Sequence, residues 1–134
     1  EKEHGLEDVH FEGFVPERKL PNYYSTADIY CSPALFGESF GIVLLEAMAS
    51  EVPVVAFNIS GFDDVVSNMN EGLLAAPRDV HDLAQKLELL IKNPELRREL
   101  GSRGFEKARA FTWSKIARQY IDYYKQCWEK HGRQ

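Results

Sequence analysis

The chain has 134 residues, 44% of them hydrophobic, which is enough to bury a core and too little chain for a complete multidomain enzyme. Its net charge of −5 is unevenly divided: residues 1 to 77 hold three Lys+Arg and thirteen Asp+Glu, a balance of −10, whereas residues 78 to 134 hold thirteen and eight, a balance of +5. A domain that grips nucleic acid or phosphate unaided brings a basic cluster to the site, and only Lys2, Arg18 and Lys19 precede residue 78. Nucleic acid is therefore not an expected partner, and any anion bound here needs a cation from elsewhere.

Val9-His10-Phe11 reads as a first short strand ending at Gly13, followed by a polar helix from about Pro21 to Thr26. Asp28 to Ser32 forms a second strand, stopped by Pro33. Gly41 to Ser50 is helical, Pro53 to Phe57 is a buried strand, Phe62 to Ser67 a short helix, and Gly72 to Ala75 a fourth strand. Short apolar runs alternating with helical patterns predict a parallel sheet of about four strands covered by helices, a Rossmann-like α/β unit. After Pro77 the period changes to three and four: Val80, Leu83, Ala84, Leu87, Leu90 and Ile91 mark an amphipathic helix that Asp79 caps. Asn93 caps the next helix, with Pro94 at its first position, and Gly101 and Gly104 weaken its middle by about 1 kcal/mol each relative to Ala. Thr112 opens the last helix, where Trp113, Ile116, Ala117, Tyr120, Ile121, Tyr124 and Trp128 share one face, a core or interface stripe. Repeats and linkers are absent, so residues 1–134 read as one domain.

No apolar run approaches the roughly 20 residues of a membrane span, and Glu1-Lys2-Glu3-His4 has no signal-peptide character. Cys31 and Cys127 are far apart, and His4, His10, His81 and His131 form no His-x-x-x-His pair. A soluble, cytoplasmic chain with reduced thiols, no metal and no resident cofactor is expected.

The chemistry concentrates between Pro33 and Ala49, which follows a strand, passes through a loop with Gly37 and Gly41, and enters a helix. In an open α/β sheet, ligands bind beyond the carboxyl ends of the strands, where helix N-termini present bare N–H groups. The amides of Gly41, Ile42 and Val43 form such a set. Glu46 stands in a helix that is apolar nearly all round, which predicts burial on most faces and a carboxylate needing a partner. It lies four residues after Ile42, and helical side chains lean toward the N-terminus, so its carboxylate reaches the helix mouth, where it can accept from vicinal hydroxyls. Glu38 adds a second acceptor in the preceding loop.

Two glutamates eight apart, bracketing Ser39-Phe40-Gly41, resemble the Glu-x7-Glu motif of retaining family 4 glycosyltransferases, which have the GT-B fold. The resemblance extends over Val9 to Pro16, Tyr24 to Asp28, Glu46 to Ala49, Pro53 to Ala56 and Phe111 to Ser114. It implies part of a C-terminal, nucleotide-sugar-binding GT-B domain. Glu38 would meet hydroxyls of the transferred sugar and is the one residue with a catalytic assignment, by positioning. Ser39, Phe40 and Gly41 would meet the donor sugar, the Ile42 and Val43 amides the diphosphate, and Glu46 the ribose. Gly13, Phe14 and Val15 resemble the segment lining the base pocket. The family's chemistry is metal-independent, with the donor's own phosphate helping to deprotonate the acceptor, so no protein nucleophile is assigned.

This sequence departs from the pattern at three places. Glu51 replaces the usual Gly after the helix, a position that favours φ > 0. Ser60-Gly61 and Asp64 stand where the family has Gly-Gly and Glu. The family's phosphate-clamping Arg and Lys, and the acceptor-binding N-terminal domain, lie upstream of the first residue, so the resemblance implies a fragment inactive alone. Two alternatives stand beside it: a nucleotide-sugar 2-epimerase of the same fold, and a non-catalytic folded module that self-associates through an open sheet edge and the aromatic last helix. Arg97, Arg98, Arg103, Lys107 and Arg109 read as a solvated face or, for a lipid acceptor, a peripheral membrane contact.

Overall fold

The computed structural model describes residues 5–36 and 38–131, and its centre is an apolar run of the sequence. Strand β2 (Val54–Phe57) lies between β1 (Tyr30–Ser32) and β3 (Gly72–Ala75), all parallel, with Tyr30 opposite Val54 and Val54 opposite Gly72. All residues of β2 and β3 are buried, as expected for strands covered on both faces. The alternation of the pleat sends Val54 and Ala56 to one face and Val55 and Phe57 to the other. On the first face they meet Leu44, Ala47 and Met48 of helix α2 (Ile42–Ala49), together with Phe62, Val65 and Val66. On the second they meet Leu83 and Leu90 of α3 (Val80–Lys92) and Leu100 of α4 (Pro94–Ala108). Gly72 is dictated by its register, since a Cβ there would lie 2.5 Å from Val54 Cγ2.

The caps act as the sequence requires. Asp79 Oδ1 accepts from the Asp82 amide at 3.0 Å and Asn93 Oδ1 from the Leu96 amide at 3.1 Å, each satisfying a donor that has no partner inside its helix. Helix α1 (Leu20–Thr26) follows a 3-10 turn over Glu17–Lys19. Helix α4 runs unbroken through both glycines, which lie at its close contacts with α2 and with the turn that follows α2. A Cβ at Gly101 would sit 2.2 Å from the Glu51 carbonyl oxygen, and one at Gly104 3.0 Å from Met48 Cγ. Glu51 itself has φ 59°, as its place after α2 suggested. Helix α5 (Trp113–His131) buries none of its residues, and its aromatics stand in the open: Trp113 is 80% and Trp128 75% exposed. Among the described residues no helix is long and apolar enough to cross a membrane, and Cys31 and Cys127 are free thiols.

Two expected elements do not form. The sheet has three strands rather than four: residues 9–11 form no regular element and lie outside the sheet, and Phe11 is 83% exposed. A strand exists only through its ladder, and the ladders of the described residues join β1, β2 and β3 alone. The segment from Phe62 to Ser67 is a series of turns instead of a helix, with the Val65 and Val66 amides donating to the Phe62 carbonyl at 3.1 and 2.8 Å. Its apolar side chains still enter the core, which is what their spacing encoded.

Candidate functional site

Beyond the carboxyl end of β1 the chain turns through the loop that leads into α2. Gly37 lies outside the described residues. Glu38 folds back on the loop that follows it: its Oε1 accepts from the amides of Ser39 at 3.2 Å, Phe40 at 3.4 Å and Gly41 at 3.0 Å. Three donors converging on one carboxylate oxygen hold Glu38 below the ordinary carboxylate pKa, the Gly41 amide contributing most and partial desolvation opposing it. Gly41 has φ 83°, and a Cβ there would press on Phe62 Cδ1 at 3.1 Å and the Gly61 carbonyl at 3.2 Å. Gly61, with φ 93°, returns the contact, since its Cβ would lie 3.1 Å from Glu38 O, Ser39 C and Phe40 N. The two loops therefore brace each other through backbone.

This geometry changes the expected anion set. The Gly41 amide, expected to be free, is engaged by Glu38. Leu44 and Leu45 donate to the Gly41 carbonyl at 3.0 and 3.3 Å, and among the described residues no group accepts from the Ile42 and Val43 amides. Two donors thus remain open at the positive end of the helix.

Glu46 is also placed differently from the expectation. Its helix buries only Leu44, Ala47 and Met48, Ile42 is 50% exposed, and Glu46 itself is exposed. The apolar residues on the outer side of α2 border a cleft of about 890 Å³, formed by Ile42, Leu45 and Glu46 on one wall and Phe111, Trp113 and Tyr120 on the other. The carboxylate nevertheless has the partner its setting called for: Tyr24 of α1 donates its hydroxyl to Glu46 Oε2 at 2.9 Å. Tyr24 packs against Tyr30 with ring centroids 5.5 Å apart. Burial, and then the bond to Glu46, push the Tyr24 phenol well above its ordinary pKa, so it stays a donor at every physiological pH.

Phe40 is 37% exposed and stacks at a tilt on Phe111, 5.7 Å between centroids, while Ser39 presents its side chain to solvent. Gly13 adopts φ 61°, Phe14 is 90% exposed and Val15 is half-buried. The structure ties this segment to α1, because Tyr23 donates to Glu12 at 2.7 Å. Helix α1 thus carries adjacent tyrosines, one reaching the 12–15 segment and the other Glu46. Among the described residues no Lys or Arg pairs with Glu38 or Glu46, and no cluster of three metal-ligating side chains occurs. Lys86, Lys92, Arg103 and Arg109 pair with acids of their own or the adjoining helix instead. Lys107 meets the buried Glu71 at 3.2 Å, where Glu71 also accepts from the Ser67 amide and the Asn70 side chain. Sequence reasoning missed Tyr24 as the partner of Glu46 and Gly61 as the brace of the loop. The signal for Gly61 was a Ser-Gly pair just after a buried strand.

Known proteins resemble this chain in sequence and fold. A family model described as "Glycosyl transferases group 1" matches residues 1–107. The phosphatidyl-myo-inositol mannosyltransferase of Mycobacterium leprae is 38% identical over 120 residues, covering 90% of this chain and 32% of that protein. Sucrose-phosphate synthase from Thermosynechococcus elongatus superposes with a TM-score of 0.88 at 35% identity, over 96% of this chain and 33% of that one. An Anabaena protein, HepE, solved in complex with UDP-glucose, superposes with a TM-score of 0.85 at 26% identity, over 93% of this chain and 34% of that one. The chain spans about a third of the length of these relatives. They give no support to the epimerase alternative.

Proposed function

The match over residues 1–107 makes this chain a member of the glycosyl transferases group 1 family, and from that premise we propose that it is part of the donor-binding domain of an enzyme that moves a sugar from a nucleoside diphosphate to an acceptor hydroxyl, with retention of anomeric configuration. The observation that carries the reading is the placement of Glu38, the open Ile42 and Val43 amides and Glu46 along a single loop and helix start. Here Ile42 and Val43 take the diphosphate, where two N–H groups and the helix dipole favour negative charge. Glu46 takes the ribose hydroxyls through the oxygen Tyr24 leaves free. The Ser39, Phe40 and Gly41 segment lies along the donor sugar, and Glu38 meets its hydroxyls by turning one carboxylate oxygen away from the loop amides. Gly13, Phe14 and Val15 border the base, with the exposed Phe14 ring as the stacking surface. The leaving diphosphate is stabilised electrostatically, by the helix end and by cations outside this chain. The acceptor is held by another domain, so the 134 residues bind donor weakly and do not turn over.

A protein-detected NMR titration of the 134-residue chain with UDP and UDP-glucose tests this. Weak, millimolar binding is expected, with resonance shifts at Phe40 to Val43 that need several-fold more UDP to develop in Glu46→Gln. Tight binding centred on the basic residues of α4 and α5, with Phe40 to Val43 unmoved, would overturn it.

A further inference from the structure

Glu46 is an exposed carboxylate with four lone-pair directions and, among the described residues, one side-chain donor, the Tyr24 hydroxyl. An unrestrained glutamate on the outer side of a helix samples several rotamers, and fixing it at the moment of binding costs conformational entropy. Tyr24 removes that freedom in advance. It is itself held on two sides, by its tilted packing on Tyr30 and by its place in α1 against the core that includes Leu44 and Met48. Its hydroxyl takes Oε2 and leaves Oε1 uncommitted. The bond crosses from one helix to another and joins residues 22 apart in the chain, so helix geometry alone does not require it. The protein does not need it to satisfy a buried charge either, because Glu46 is exposed.

Building on the donor reading above, we infer that Tyr24 is a positioning residue for ribose recognition: it presets the Glu46 carboxylate so that Oε1 meets the vicinal hydroxyls of a nucleoside diphosphate. Tyr24 touches no ligand atom in this arrangement and acts only through Glu46.

The test is a comparison of UDP with 2′,3′-dideoxy-UDP on the unsubstituted chain, Tyr24→Phe, Glu46→Gln and the double variant, read by NMR titration. The unsubstituted chain should prefer UDP, and Tyr24→Phe should weaken UDP about fivefold while leaving dideoxy-UDP unchanged. In the Glu46→Gln background Tyr24→Phe should have no effect on either ligand, the non-additivity expected of one unit. A second measurement needs no variant: the Tyr24 13Cζ resonance of the unsubstituted chain should move on adding UDP and stay in place on adding dideoxy-UDP. Equal weakening of both ligands by Tyr24→Phe would show a structural role alone and overturn the inference. Full UDP preference retained in Tyr24→Phe but lost in Glu46→Gln would overturn it while leaving the donor reading intact. No preference for UDP in the unsubstituted chain would overturn the ribose assignment of Glu46 and this inference with it.

Discussion

Replacing Gly61 by alanine should damage the fold and the site together, and the size of the effect follows from two separable terms. The first is backbone conformation: at φ 93° an L-residue is disfavoured, at a cost of about 1–2 kcal/mol. The second is space. The new Cβ would face Glu38 O, Ser39 C and Phe40 N, all at 3.1 Å, so the site loop must retreat by a few tenths of an ångström. These obstacles are backbone atoms that cannot rotate away, and overpacking of this kind adds about 1 kcal/mol at the low end of its range. The sum is about 2–3 kcal/mol. For a chain of this length that lowers the thermal midpoint by roughly 10 °C, followed by far-ultraviolet circular dichroism. Gly13→Ala is the control for the first term, since Gly13 has φ 61° and nothing within 4 Å of its Cβ position, and it should cost only about 1 kcal/mol. The Ser39, Phe40 and Gly41 amide resonances should shift in Gly61→Ala and not in Gly13→Ala. Equal stabilities for the two variants would refute the claim that the 60–62 loop braces the site.

Gly101→Ala should destabilise by about 2 kcal/mol in urea titration despite the better helix propensity of alanine, because its Cβ would fall 2.2 Å from the Glu51 oxygen; a gain in stability would refute the packing argument. Asn93→Ala should cost about 1 kcal/mol by the same measurement through loss of the bond to the Leu96 amide. Burial pushes the Glu71 carboxyl up, but the Ser67 amide, Lys107 and Asn70 outweigh it and leave its pKa below the ordinary value. Its folded-state pKa lies below the unfolded one, so its contribution is complete above the usual carboxylate range and fades as pH falls through the folded value. Denaturant titrations at neutral and strongly acidic pH should therefore show a loss of stability in acid that is smaller in Glu71→Gln, and an equal loss in both would refute it.

Features set by near neighbours in the chain were readable before the structure. The caps at Asp79 and Asn93 reach only three residues ahead, and the positive φ at Glu51 follows from its place just after a helix. The Glu38 contacts are of the same local kind, because its carboxylate bonds amides one to three residues on. What the sequence concealed depends on distant partners. Residues 9–11 have strand composition but no ladder. The apolar surround of Glu46 suggested burial, yet a helix covered on one side shows its other apolar side to a cleft, and nothing in residues 42–49 says which element stands opposite. Gly101 and Gly104 looked like weak points and are where α4 lies against the turn after α2 and against Met48 of α2, visible only when these elements are side by side.

The chain has two tryptophans, Trp113 and Trp128, and both stand exposed on α5, away from the sheet. The buried aromatics of the core are Phe57 and Phe62, which give little emission beside them. Intrinsic fluorescence of this protein therefore reports on whatever touches α5 and is nearly blind to loss of the core. An emission shift on mixing with another polypeptide would mark contact at that helix, and an unchanged spectrum during heating would say nothing about whether β2 and β3 remain paired.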